Sequence, residues 1–134
     1  MSFTYQRRIY LADTDAARVV YFAKLLSICH EAYEELLTQA GIDFGELVNN
    51  DHLAIPIVHA EIDFQRPIFC GDLLEIFVKV ESITENSFQV IYTLSKSGTK
   101  VADAMTKHLA INPLTRRRTQ LTPKIVEYLY RQKE

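Results

Sequence analysis

Only one long stretch of this chain carries a helical period, and that decides what the chain can fold into. Leu25, Cys29, Ala32, Leu36 and Ala40 recur at three- and four-residue steps, flanked by Leu26, Tyr33 and Leu37. The spacing predicts a helix over residues 22–40 with a wide apolar stripe, stopped at Gly41 where a left-handed conformation costs least. A single amphipathic helix of this length has no equal partner in the chain. Its stripe has to be buried against a sheet.

The remaining sequence supplies one. Residues 3–11 place Phe3, Tyr5, Ile9 and Leu11 on one face, a strand interrupted by Arg7. After the helix, residues 43–49 predict a short helical turn with Asp43 as N-cap. Ile55, Ile57 and then Ala60, Ile62 and Phe64 read as one strand whose facing switches at a bulge. Leu74, Ile76, Val78 and Val80 alternate with polar residues, as do Phe88, Val90, Tyr92 and Leu94. Ser97-Gly98 predicts a hairpin into residues 101–111, and Thr122-Pro123 opens a final short helix. The expectation is an α+β fold: four sequential hairpin-like strands in an antiparallel sheet that wraps one long helix. Such a sheet leaves open edges, so pairing with another copy is expected.

At 134 residues the chain suits one domain, 1–134, large enough to need no disulfide staple. The net charge of −2 provides no field to draw it to nucleic acid or an anionic membrane. Cys29 and Cys70 form no CxxC motif and read as reduced thiols in the cytoplasm. The N-terminus lacks an apolar leader, and no run approaches a membrane span.

The absent motifs narrow the chemistry. Four glycines leave no phosphate-binding loop, and there is no GxSxG elbow. His30, His52, His59 and His108 lack metal-ligand spacing, so no metal and no cofactor is expected. Cys29 falls on the helix's apolar stripe, where a thiol is inert. Catalysis would therefore rest on carboxylates, and the place to look is residues 12–20, which carry Asp13 and Asp15. A carboxylate here lies beside the N-terminus of the long helix, whose free N–H groups can polarise a carbonyl oxygen. From spacing alone these aspartates can equally be turn caps.

The run Asp13-Thr14-Asp15-Ala16-Ala17-Arg18-Val19-Val20-Tyr21-Phe22-Ala23 resembles the DxDxxGxVxY signature of the 4-hydroxybenzoyl-CoA thioesterase family, of the hotdog fold. Phe64-Gln65-Arg66-Pro67-Ile68-Phe69-Cys70-Gly71-Asp72 resembles its RPxxxGD stretch. Residues 106–111 and 115–118 resemble its last strand and the basic segment that follows. The resemblance implies a hotdog fold and hydrolysis of an acyl-CoA. It makes Asp15 the catalytic carboxylate, as nucleophile or as base for water, with the Phe22 N–H holding the carbonyl oxygen. Asp13 is expected to be structural. Another hotdog branch uses a glutamate on the long helix, which raises Glu31, Glu34 and Glu35 as rivals.

One departure stands out: Arg18 occupies the family's glycine position, so either the loop is reshaped or Arg18 accepts strain. Arg18 and Tyr21 are candidate substrate contacts. Arg116, Arg117 and Arg118, with Lys107, are candidates for the phosphates of coenzyme A, which in the family often reach a neighbouring subunit's site. Within the family the first motif most resembles the branch that hydrolyses 1,4-dihydroxy-2-naphthoyl-CoA in phylloquinone and menaquinone biosynthesis. Short-chain acyl-CoA thioesterases share most of these residues but commonly carry His where Phe22 stands. A non-catalytic acyl-CoA-binding module would not need Asp15. A homo-oligomer, dimer or tetramer, is expected.

Overall fold

Strand β1 (Phe3–Arg8) begins the computed structural model, which describes residues 3–133. Helix α1 (Phe22–Gln39) and the short α2 (Phe44–Val48) follow. Then come β2 (Ile57–Phe64), β3 (Leu73–Glu81), β4 (Ser87–Lys96), β5 (Thr99–Leu109) and α3 (Pro123–Lys133). The five strands form one antiparallel sheet in the order β1-β3-β4-β5-β2.

The alternation read from the sequence sets the sheet's two faces. Leu74, Ile76, Val78 and Val80 pair in register with Phe88, Val90, Tyr92 and Leu94, and all eight are buried. Opposite them lies the stripe of α1, with Leu25, Ile28, Cys29, Ala32, Leu36 and Leu37 buried. Helix α3 shares that face through Ile125 and Leu129, and Tyr128 donates its hydroxyl to the Leu36 carbonyl. The other face carries Glu75, Lys79, Gln89, Asp103 and Lys107 in partial or full exposure. One core layer between sheet and helices buries the apolar set.

Several expected details hold. Gly41 ends α1 at φ +91°, and the Asp43 carboxylate caps α2 by accepting the Gly45 and Glu46 amides. The register shifts between Ile57 and His59, the bulge expected there. Two details differ. Strand β1 stops at Arg8, and Leu11 swings out to 77% exposure in a short 3₁₀ turn, Leu11–Asp13, instead of extending the strand face. Nor are the last four strands successive hairpins: β2 lies at the far edge beside β5, with β4 and β5 between it and β3. Residues 65–72 therefore cross from one edge of the sheet toward the other, and this crossing forms one wall of the site below.

Within the core, His108 is fully buried, stacked on Phe88 with ring centroids 4.8 Å apart. Its Nε2 bonds the Thr106 hydroxyl at 2.8 Å, which in turn meets the Tyr92 hydroxyl at 2.8 Å. Burial, then the neighbouring His30, pushes its pKa down to about 3, so the ring is neutral.

Candidate active site

The loop before α1 is a closed hairpin. Thr14 and Val20 pair across it. The Asp15 amide donates to the Val19 carbonyl at 3.0 Å, and the Arg18 amide donates back to the Asp15 carbonyl at 2.9 Å. A turn this tight rejoins its second strand through one left-handed residue. That residue is Arg18, at φ +69°. The resembling family's glycine thus marks a conformational requirement, and Arg18 meets it at a cost of about 1 kcal/mol.

Three anchors hold the hairpin. The Val20 amide donates to the Ile68 carbonyl at 2.8 Å, and the Tyr21 amide donates to the Asp13 carbonyl at 2.8 Å. The third anchor is the Asp13 side chain, only 3% exposed. It accepts the Tyr10 amide at 2.8 Å and makes a two-pronged ion pair with Arg7. Arg7 reaches on to Glu31 of α1 at 3.2 Å, Glu31 accepts the Tyr5 hydroxyl at 3.1 Å, and Lys24 lies 3.6 Å from Asp13. Burial alone would push the Asp13 carboxyl up. The Arg7 hydrogen bond, the Tyr10 amide and the charges of Arg7 and Lys24 outweigh it and hold the group below its ordinary value. Asp13 is structural, as expected. The arginine that broke the apolar alternation of β1 is its partner, a role the sequence reading missed.

Asp15 is arranged differently. Its side chain is exposed, one oxygen accepts the Ala17 amide at 2.8 Å, and the other has no partner among the described residues. It lines a cleft of about 370 Å³ with Val19, Val20 and Phe22 on one side and Phe64, Arg66, Pro67 and Ile68 on the other. Phe22 is the first residue of α1, whose N-cap Tyr21 supplies no side-chain bond. The Phe22 and Ala23 amides have no acceptor among the described residues, while the next amide, of Lys24, is taken by the Tyr21 carbonyl at 2.8 Å. The cleft is thus lined both by Asp15, with one carboxylate oxygen free, and by Phe22, the first residue of a helix whose leading donors are open. Acyl transfer requires a carboxylate and donors of these kinds.

The other candidates scatter. Arg18 and Tyr21 are exposed beside the cleft but do not line it. Glu31 is tied to Arg7, Glu34 pairs with His30 at 3.1 Å, and none of Glu31, Glu34 and Glu35 lines the cleft. Burial pushes the Cys29 thiol up to about 12, which leaves it un-ionised and unreactive. Among the described residues no group of three or more His, Cys, Asp or Glu is placed to hold a metal ion. Arg116, Arg117 and Arg118 lie past the exit of β5, where Ile111 pairs with Arg118. The Asp15 cleft adjoins the entry of β5, where the Gln65 and Arg66 amides donate to the Val101 carbonyl. A strand of this length separates them by about 30 Å. Within one chain, the basic segment does not meet Asp15.

The match to known proteins follows the same residues. A family model described as the thioesterase-like superfamily matches residues 9–129. The chain belongs to that superfamily. The 1,4-dihydroxy-2-naphthoyl-CoA hydrolase of Gloeothece citriformis is 48% identical over 95% of this chain and 91% of its own length. That of Microcystis aeruginosa is 50% identical over 93% and 91%. Among solved structures, Slr0204, a 1,4-dihydroxy-2-naphthoyl-CoA thioesterase from Synechocystis, superposes with a TM-score of 0.93. It is 34% identical and covers 100% of this chain and 99% of that one. The α+β hotdog architecture implied by the sequence resemblance is therefore the one observed. The superfamily's thioesterase character also fits the cleft, which offers a carboxylate and amide donors and no histidine or cysteine.

Proposed function

We propose that this protein hydrolyses 1,4-dihydroxy-2-naphthoyl-CoA to 1,4-dihydroxy-2-naphthoate and coenzyme A, the hydrolysis that phylloquinone and menaquinone biosynthesis requires. The names of relatives nearly half identical over almost the whole chain support the substrate. The observation that carries the chemistry is the cleft shared by Asp15 and Phe22, the residue that opens α1 with its amide and that of Ala23 unpaired among the described residues. With the thioester carbonyl oxygen on those amides, Asp15 either attacks the carbonyl carbon or takes the proton of the water that does. In the first route the carbon–sulfur bond breaks to leave an anhydride on Asp15 and the coenzyme A thiolate. Water then cleaves the anhydride to the free acid, regenerating Asp15 and giving up the proton that the thiolate takes. In the second the water-derived tetrahedral intermediate expels the thiolate, which receives the proton held by Asp15, and the free acid departs. The amides would stabilise the oxyanion in both routes, and neither route requires a metal.

A second copy completes the picture. The outer edge of β2 is unpaired among the described residues, nearly all of the strand is exposed, and Phe64 at its end lines the cleft. Docking there would cover the cleft and bring a neighbour's Arg116, Arg117 and Arg118 toward the coenzyme A phosphates, with Tyr21 and Arg18 at the rim. No described helix is long and apolar enough to cross a membrane. Cys29 and Cys70 are both unbridged, which supports a reducing, cytoplasmic location.

The test is a hydrolysis panel of aryl, short-chain and long-chain acyl-CoAs with free-thiol detection. The dihydroxynaphthoyl thioester should give the highest kcat/KM. A short-chain optimum would move the protein to another branch, and no turnover at all would leave a binding module. Mixing Asp15→Asn with a triple Arg116→Ala, Arg117→Ala, Arg118→Ala variant should restore part of the activity if the two sets come from different subunits. No recovery would place the phosphate site elsewhere.

A further inference from the structure

We propose that Arg66 is the specificity-determining residue of this site, binding a hydroxyl or phenolate oxygen on the aromatic acyl group. The inference rests on the thioesterase reading of the Asp15 cleft and adds to it the residue that reads the ring oxygen.

The cleft is apolar apart from three residues. Val19, Val20, Phe22, Phe64, Pro67 and Ile68 give walls suited to a flat hydrocarbon, and Asp15, Gln65 and Arg66 are the polar exceptions. Gln65 is engaged elsewhere, donating its side-chain amide to Asp103 at 3.0 Å. Asp15 is reserved for the thioester carbon. That leaves Arg66, whose side chain makes no hydrogen bond or ion pair among the described residues. Its backbone is fixed by the bond to the Val101 carbonyl at 3.2 Å, and Pro67 stiffens the chain beside it. The backbone therefore sets an exposed cation at the cleft with no protein partner for its donors among the described residues. A guanidinium presents a planar fork of N–H groups that matches an oxygen bearing full or partial negative charge.

The oxygen could in principle come from the acyl group or from a phosphate of the carrier, because Arg66 and Pro67 also wall a neighbouring cleft of about 340 Å³ toward the β4–β5 turn. The second cleft is poorly equipped for phosphate. Its other cation, Lys96, is bound to Asp72 at 2.8 Å and lies 5.2 Å from the Phe69 ring centre. Nearby Lys100 is likewise paired, with Asp103 at 2.8 Å. Two neutralised lysines make a weak anion site, whereas an unpaired arginine at the edge of an apolar slot favours a ligand entering from the Asp15 side. Docking of a second copy along β2 would remove water from that slot and strengthen the contact.

The experiment compares 4-hydroxybenzoyl-CoA with benzoyl-CoA on wild type, Arg66→Met, Arg66→Gln and Arg66→Lys. Wild type should prefer the hydroxylated thioester in kcat/KM by about ten- to a hundredfold. Arg66→Met and Arg66→Gln should lose most of that preference through the hydroxylated substrate alone, and Arg66→Lys should regain part of it. An equal loss on both substrates would mean that Arg66 serves the carrier, and absence of any wild-type preference would mean that it reads nothing on the ring. Either result overturns the inference. Neither touches the thioesterase reading, which stands or falls on turnover by Asp15→Asn with unsubstituted benzoyl-CoA.

Discussion

Asp13 and Asp15 stand two residues apart in one loop and have opposite surroundings. Asp13 is buried, paired with Arg7 and Lys24, bonded to the Tyr10 amide and held ionised below its ordinary range. Asp15 is exposed, spends one oxygen on the turn, leaves the other without a partner among the described residues, and lines a mainly apolar cleft. A carboxylate already saturated with donors has nothing left to offer a substrate, while a free one needs something else to hold it in place. In the proposed mechanism the first builds the platform on which the second works.

The comparison breaks most decisively by removing each charge in turn. Asp15→Asn should lower kcat by about 10²–10⁴-fold while leaving the melting temperature and KM nearly unchanged. A variant that still turns over its best acyl-CoA at wild-type rate would remove Asp15 from the chemistry. Asp13→Asn should do the reverse. It leaves Arg7 and the Tyr10 amide short of their acceptor and should destabilise by about 2–4 kcal/mol, read from denaturant midpoints. The estimate sits below the usual range for a broken buried pair because Glu31 still compensates Arg7.

Acid sharpens the contrast. Because the folded pKa of Asp13 is depressed, its contribution is fully present above the unfolded value of about 3.9 and disappears as pH falls through the lower folded value. Wild type should therefore lose stability below about pH 4 more steeply than Asp13→Asn does; parallel curves would show that the ion pair adds nothing. The smallest expected effect concerns the turn itself. Arg18→Gly should raise stability by about 0.5–1 kcal/mol, by relieving the left-handed arginine against the entropy of glycine, without changing kcat. A loss of kcat there would give Arg18 a substrate contact that its position outside the cleft does not suggest.

The periodicity of residues 22–40 and the alternation of residues 74–94 made the helix and the central strands legible, because local pattern and burial agree there. The position of β2 was not legible. Strand order depends on which edge closes the sheet, and no spacing within residues 55–64 records it. The site divided in the same way. Asp15 and the Phe22 amide came from a motif, but their meeting in a cleft with residues 64–68 needs the crossing segment in place. Arg7 could have been found: an arginine inside an otherwise apolar face predicts a buried partner, and an aspartate six residues on was available. Arg66 stood in the RPxxxGD stretch, but nothing in that motif says that its side chain lies at the Asp15 cleft without a protein partner.

Two of the anchors beside the cleft are bonds between main-chain atoms, from the Val20 amide to the Ile68 carbonyl and from the Tyr21 amide to the Asp13 carbonyl. Such tethers are blind to side-chain identity. Positions 19, 21 and 22 can therefore exchange one ring or aliphatic group for another without unseating the donors at the start of α1. Descendants of this chain could acquire new acyl preferences by drift at those positions while inheriting the same machinery for breaking the thioester.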